Sequence, residues 1–177
     1  MHEDYPVIIP TIYGRDSDNL YIHGASVSRM LVDLQKGVPI SLNVTQTDGL
    51  VLARSAFHHS LNYQSVTIFG EAKIVSSDEE RYKALEIISN QIIPGRWEEV
   101  RLPNEKEMKA TTILKIPIIE ASAKIRTGPP IDEKYDYELP IWAGVVPIHK
   151  NFGKPIVDNE VDKSIEIPKS VKKLLLL

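Results

Sequence analysis

The chain has 177 residues, no cysteine and a formal net charge of −3. That length suits one domain, or one domain with a tail, and can bury roughly two thirds of the surface that the unfolded chain exposes. The missing thiols exclude disulfides, iron–sulfur ligation, thiolate zinc sites and a cysteine nucleophile, and the mild negative charge argues against nucleic-acid binding by bulk electrostatics.

Residues 1–5, MHEDY, carry neither a basic stretch nor an apolar run, so no secretory signal is expected and a cytoplasmic setting is. No apolar run is long enough to span a bilayer. Residues 5–13 read as a Pro-bounded strand, 14–19 as a turn cluster and 20–23 as a second strand, together a hairpin. A helix follows, with Ser26 as its cap, Met30, Leu31 and Leu34 as its apolar face and Gly37 as its stop. Residues 39–47 and 50–56 read as two strands around the turn Thr47-Asp48-Gly49, and 66–75 as another in which Gly70 marks a bulge. Ser77-Asp78-Glu79-Glu80 is a capping-box pattern opening a helix to about Gln91, and 104–111 a short second helix. Residues 113–119, 121–126 and 141–148 are the last strands. Short strands closed by turns, with few helices, predict a mainly β protein built as a small barrel. From about residue 151 the pattern fades into an extended tail, and Leu174 to Leu177 are an apolar end that either packs on the body or stays disordered. The chain begins almost inside a strand, so either a partner supplies a neighbouring strand or the barrel is open at its start.

Leu20 to Arg29 run from strand through Gly24 into a helix start, where free N–H groups and the dipole attract phosphate. Ser26 and Ser28 bring hydroxyls and Arg29 a bidentate fork. Spacing alone leaves two readings, a phosphate cradle or an ordinary capped helix with a surface arginine. His58 and His59 are adjacent; in a strand they would face opposite sides and not share a metal, so no metal site is expected, and a histidine that bonds a cofactor or acts as an acid stands beside a satisfied strand-end histidine. Asn62 reads as a turn closer and Tyr63 as a core or site residue. Lys124 and Arg126 fall on one strand face, which faces either an anion or solvent. Trp142 stacks on a flat ring or belongs to the core. No GxSxG, Walker or GxGxxG motif is present.

In order, PTIYGR (10–15), LYIHGASVSRM (20–30), DGLVLARSAFHHSLNYQSVTIFGEA (48–72), PGRW (94–97), EASAKIRTGPP (120–130) and LPIWAGVVP (139–147) resemble the pattern of the pyridoxamine 5'-phosphate oxidase-like FMN-binding split-barrel superfamily, in the branch related to 5-nitroimidazole-resistance-type flavoproteins. The resemblance covers about residues 6–148. It implies an antiparallel, Greek-key split barrel over residues 1–150, followed by an extended tail over 151–177, and a homodimer with FMN in a cleft between subunits. Carried over by position, His23, Gly24, Ser28 and Arg29 hold the FMN phosphate, while Pro10, Thr11 and Ile12 lie along the flavin. His58, Asn62, Tyr63 and Ser65 approach the cofactor, with His58 and Tyr63 as catalytic candidates, and Lys124, Arg126 and Trp142 reach the cleft. The implied activity is FMN-dependent oxidation or reduction of a small-molecule substrate, with no nucleic-acid or membrane partner. The alternatives are a non-enzymatic flavin- or haem-binding or sensing module, or a shortened inactive member. Before Tyr5 the sequence shows neither the family's usual N-terminal helix nor its first strand, so either both are lost or the chain starts late, and the pattern of the substrate-binding end departs from true pyridoxamine 5'-phosphate oxidases, so that activity is not implied. FMN and a deazaflavin are not separated by these residues.

Overall fold

Leu20, Tyr21 and Ile22 are consecutive in sequence and all three are buried, as in a strand covered on both faces. In the computed structural model, which describes residues 5–175, they form the middle of β2 (Asn19–Ala25). β1 (Tyr13–Asp16) pairs antiparallel with β2 around a tip where Ser17 adopts φ 52°. On its other side β2 pairs with β6 (Thr111–Pro117), and β5 (Lys73–Ile74) completes a sheet of order β1-β2-β6-β5. A second four-stranded sheet has the order β7-β4-β3-β8, from β3 (Pro39–Leu52), β4 (Ser60–Glu71), β7 (Glu120–Arg126) and β8 (Gly144–Pro147).

The chain divides into two compact units: the described part of Met1–Ile40, Gly70–Ile119 and Gly153–Leu177, and a second built from Ser41–Phe69 and Glu120–Phe152. In the first unit, α2 (Asp78–Ile92) lies on β1 and β2, and Ala84 and Ile88 join Tyr21, Val75 and Ile113 in a buried cluster. The helix reaches the strand because Gly14 has no side chain: a Cβ there would sit 2.7 Å from Ile88 N and 2.8 Å from Ile88 Cα. α1 (Arg29–Leu34) is short and ends before Gly37, whose φ of 78° suits glycine. Residues 151–168 carry no strand or helix, and α4 (Lys169–Leu174) follows. Its Ser170 is 4% exposed and gives both its N–H and its hydroxyl to the Glu99 carboxylate. Residues 176–177 of the apolar end lie outside the described residues.

Several elements differ from the sequence reading. The first strand is confined to residues 13–16, so part of the expected turn cluster lies inside β1, and residues 6–12 join no ladder. The cap of α1 is Ser28 rather than Ser26, whose N–H instead bonds Ala110 O at 2.9 Å. The two strands expected around Thr47-Asp48-Gly49 are one 14-residue strand. Gly49 is there for close approach and not for a turn, since a Cβ would lie 3.0 Å from Val145 Cγ1 and 3.1 Å from Val146 O on β8. Residues 53–59, placed partly in a strand by sequence, form a turn with a 3₁₀ segment at Ala56–His58. β4 starts at Ser60, earlier than expected, and the chain leaves it at Ala72.

The capping box expected at α2 is half formed. Ser77 accepts from Glu80 N, but the Glu80 carboxylate turns to Lys115 Nζ at 2.6 Å and Tyr21 Oη at 3.2 Å. The complete box is at α3 (Glu105–Ala110), where Asn104 Oδ1 accepts from Glu107 N and the Glu107 carboxylate accepts from Asn104 N.

Two outcomes follow from this packing. Gly14→Ala forces the α2 backbone off β1 and destabilises the protein by about 1–3 kcal/mol, read as a drop in urea or thermal midpoint. The Arg101 guanidinium and then Asn104 N–H hold the Glu107 carboxyl down at about 2. Its stabilising contribution is therefore complete above the ordinary glutamate range and disappears as pH falls toward 2, so Glu107→Gln flattens that part of the stability–pH curve.

Candidate functional site

In the first unit the strand-to-helix junction brings His23, Gly24, Ser28 and Arg29 together. β2 ends at Ala25, Ser28 N–H bonds back to Ala25 O at 2.8 Å, and α1 begins at Arg29. The first main-chain bond of α1 runs from Val32 N to Ser28 O, leaving the N–H groups of its first turn without helical acceptors. Ser28 Oγ makes no capping bond. Arg29 is exposed, and its charge is felt by Asp33, whose carboxyl is held low first by the Lys36 hydrogen bond and charge and also by Arg29. Gly24 has a packing reason: a Cβ would come within 2.9 Å of Leu31 Cδ1, so the glycine lets α1 close on β2. His23 Nδ1 is buried and meets no hydrogen-bond partner among the described residues. Burial pushes the His23 imidazole below its usual pKa, so near neutral pH the ring carries no charge. Pro10, Thr11 and Ile12 lie just before β1, outside any strand or helix and exposed.

The second unit holds the other sequence-selected residues. Ser65 Oγ lies 2.7 Å from Thr45 Oγ1 and 3.1 Å from Asn43 Nδ2, and Asn43 also bonds Thr67 Oγ1 at 2.9 Å. Lys124 pairs in register with Ser65 across β4 and β7, so both belong to one polar, partly exposed face. Arg126 does not stand beside Lys124 as a second unpaired cation: its guanidinium donates to Asn62 Oδ1, and Asn62 Nδ2 donates to Gly128 O at 3.1 Å. Asn62 is 8% exposed, and its amide is occupied in bracing the turn after β7. Tyr63 is half-buried, opposite Arg126. Trp142 is not core but 66% exposed, with its ring over Gly144, where a Cβ would lie 3.1 Å from the indole.

The adjacent histidines have different surroundings. His59 Nδ1 accepts the Ala53 N–H at 3.0 Å, which puts the ring proton on Nε2 in the neutral form. His58 closes the 3₁₀ segment, half-buried, with its ring edge-on to Phe57 at 5.2 Å.

Three further residues organise this turn, and sequence reading did not select them. Asp132, whose side chain is 0% exposed, accepts from Arg54 N at 3.0 Å, Ser55 N at 3.2 Å and Arg54 Nη1 at 3.2 Å. Burial alone would raise its carboxyl, but the two amides and the guanidinium outweigh it and hold the carboxyl below the usual range. The Arg54 guanidinium carbon lies 4.8 Å from the centre of the Tyr137 ring, and Tyr137 Oη accepts from Asp132 N. The only prior signal was a lone arginine and a lone aspartate 78 residues apart. A surface groove of about 430 Å³ lies elsewhere, lined by residues including Arg15, Lys83, Ile87 and Asn90, and none of the sequence-selected residues borders it. Among the described residues, no cluster of three His, Asp or Glu side chains is arranged to hold a metal ion, and no helix is long and apolar enough to cross a membrane.

Residues 1–125 match the family model described as pyridoxamine 5'-phosphate oxidase. Among solved structures, the chain is similar to the flavocytochrome Anf3 from Azotobacter vinelandii, with 37% identity and a TM-score of 0.91 over 98% of this chain and 80% of that one. It is similar to the FAD- and haem-binding protein from Mycobacterium smegmatis, with 35% identity and a TM-score of 0.93 over 98% of this chain and 85% of that one. A protein described as a 5-nitroimidazole antibiotic resistance protein from Bacteroides thetaiotaomicron shares the fold at 18% identity, with a TM-score of 0.58 over 69% of this chain and 70% of that one. The two antiparallel sheets are thus those of the flavin-binding split-barrel class. No curated protein sequence gives a significant match.

The split between the two histidines is measurable. His59→Ala speeds amide hydrogen exchange at Ala53 and costs about 0.5–1.5 kcal/mol of stability, while His58→Ala leaves Ala53 exchange unchanged. Equal effects of the two substitutions would contradict this assignment.

Proposed function

Because the chain belongs to the pyridoxamine 5'-phosphate oxidase family, we propose that it is a flavin-binding redox protein, an FMN-dependent oxidoreductase acting as a cytoplasmic homodimer on a small-molecule substrate. The observation that carries the reading is the β2–α1 junction, where a buried ring nitrogen of His23 has no hydrogen-bond partner among the described residues and the Ser28 hydroxyl makes no capping bond. That donor set fits a phosphate monoester. The first-turn amides of α1 and Ser28 Oγ donate to its oxygens, and Arg29 supplies charge and a planar fork. His23, uncharged near neutral pH, offers a hydrogen bond and no countercharge. Gly24 keeps α1 seated so that these groups stay in place.

Bound flavin supplies the electron transfer; the protein binds it, orients it and manages protons around it. The exposed backbone at Pro10, Thr11 and Ile12 offers Thr11 and Ile12 N–H groups and the Pro10 and Thr11 carbonyls to a flat polar ring. Considered by itself, the second unit offers Lys124 as a cation, Ser65 as a hydroxyl fixed by Thr45 and Asn43, and Trp142 as an exposed aromatic face. Asn62 and Arg126 act through the turn that they brace. His58 and Tyr63 are the candidates to hold or pass a proton.

A second reading is favoured by the likeness to a flavocytochrome and to an FAD- and haem-binding protein at 37% and 35% identity. The chain would then bind FAD, which has the same isoalloxazine and first phosphate as FMN, together with haem. Of the two adjacent histidines, His58 is the one suited to a haem, since His59 Nδ1 is already committed to Ala53. A purified protein with a flavin absorption spectrum supports the first reading, and an added Soret band the second. Chromatography of the acid-released chromophore distinguishes FMN, FAD and a deazaflavin. Arg29→Ala weakens flavin binding by about 1.5–3 kcal/mol, the range for charged hydrogen bonds, and an unchanged affinity takes Arg29 out of the site.

A further inference from the structure

We infer that Asp132 is a positioning residue: it holds the turn at residues 54–58 so that the edge formed by Phe57 and His58 is preformed to receive a flat conjugated ring. The inference rests on the cofactor reading above. It starts from an imbalance between how firmly this turn is held and what it presents. Exposed turns usually leave their amides to water. Here Ala53 N–H goes to the His59 ring, Arg54 and Ser55 N–H to Asp132, Phe57 N–H to Ser55 Oγ and His58 N–H to Ser55 O. Yet the side chain at the tip, Phe57, is 88% exposed, and its recorded ring contact is with the neighbouring His58, at 81° between the planes.

A buried carboxylate is a costly way to hold a surface turn, because it must be saturated by donors. Asp132 is saturated from one side by the turn itself, and Tyr137 backs the Arg54 guanidinium from the other. The outcome is an apolar ring and an imidazole that lose little conformational freedom when a planar ligand covers them, which is how preorganisation raises affinity. Arg54 Nε is buried without a partner among the described residues, so the clamp is not tuned for hydrogen bonding alone. Flavin and haem share the required chemistry, a flat conjugated ring with a polar rim.

The test titrates FMN, FAD and haemin separately into the full-length wild-type chain, Asp132→Asn, Phe57→Ala and the double variant, with amide hydrogen exchange on each unliganded protein. For the ligand that wild type binds, each single variant weakens binding by about tenfold, the size of one lost aromatic stacking contact. The double variant is no weaker than the worse single one, because Phe57 contributes only while the turn is held. Asp132→Asn accelerates exchange at Arg54, Ser55, Phe57 and His58, and Phe57→Ala does not. Arg54→Lys, which keeps the charge and both amide bonds, gives a smaller loss in the same direction and serves if Asp132→Asn does not fold. Unchanged ligand affinity with accelerated exchange overturns the inference and leaves a clamp for stability only, and so does a double variant whose losses multiply. A wild-type chain that takes up none of the three ligands overturns the cofactor reading itself, and with it the ligand named here.

Discussion

A carboxylate removed from water must be surrounded by donors, and in the second unit that requirement is met at Asp132. Its side chain is fully enclosed, and the groups that saturate it come from the turn that follows β3. One buried charge therefore dictates the backbone path from Ala53 to His59. That path in turn decides where β4 can start and which side chains stand at the tip. The guanidinium of Arg54 completes the pair and rests on Tyr137, so the loop after β7 is tied to the same point. Removing the Arg54 charge would leave a fully enclosed carboxylate with only backbone amides to offset it, which makes the pair more consequential for local order than its modest net worth to stability implies.

In the first unit the corresponding constraint is steric. Gly14 brings the backbone of β1 against that of α2, and Gly24 does the same for β2 and the side chain of Leu31. With both approaches in place, β2 is covered and the strand-to-helix junction has a defined shape. The polar groups there are unequal. Arg29 is a permanent cation, whereas His23 is kept neutral by its burial. On the proposed reading, a phosphate at this junction would draw its electrostatic attraction mostly from that guanidinium and from backbone amides.

Side chains chosen for their chemistry often have architectural duties. Asn62 has both ends of its amide engaged, and Arg126 is spent on it. His59 holds a backbone N–H. Glu80 leaves its capping role to bridge Lys115 and Tyr21 across the sheet. These duties take Asn62, Arg126 and the Nδ1 atom of His59 out of the set that a ligand in the second unit could engage.

Much of this was readable in advance where the physics is local. The hairpin around residues 16–19, the helix opened by Ser77 and the strand run 113–117 follow from turn chemistry, capping and apolar pattern, and six ordered motif blocks pointed to the family and its split barrel. The misreadings lie where a residue's partner is distant in sequence. Thr47-Asp48-Gly49 has turn composition, but the close approach of β8 asks for glycine there, and pairing with β8 runs on from Gly49 to Leu52. Ser26 has cap chemistry, yet its amide is claimed by Ala110 and the cap moves to Ser28. Asp132 and Arg54 carry no local pattern at all. The amino-acid order by itself determined most element types, because those depend on neighbours within a few positions, and its six ordered motif blocks carried the fold class. Which polar groups are consumed and which remain for a ligand was decided only by tertiary structure, because hydrogen bonds and desolvation are settled by what folding brings alongside.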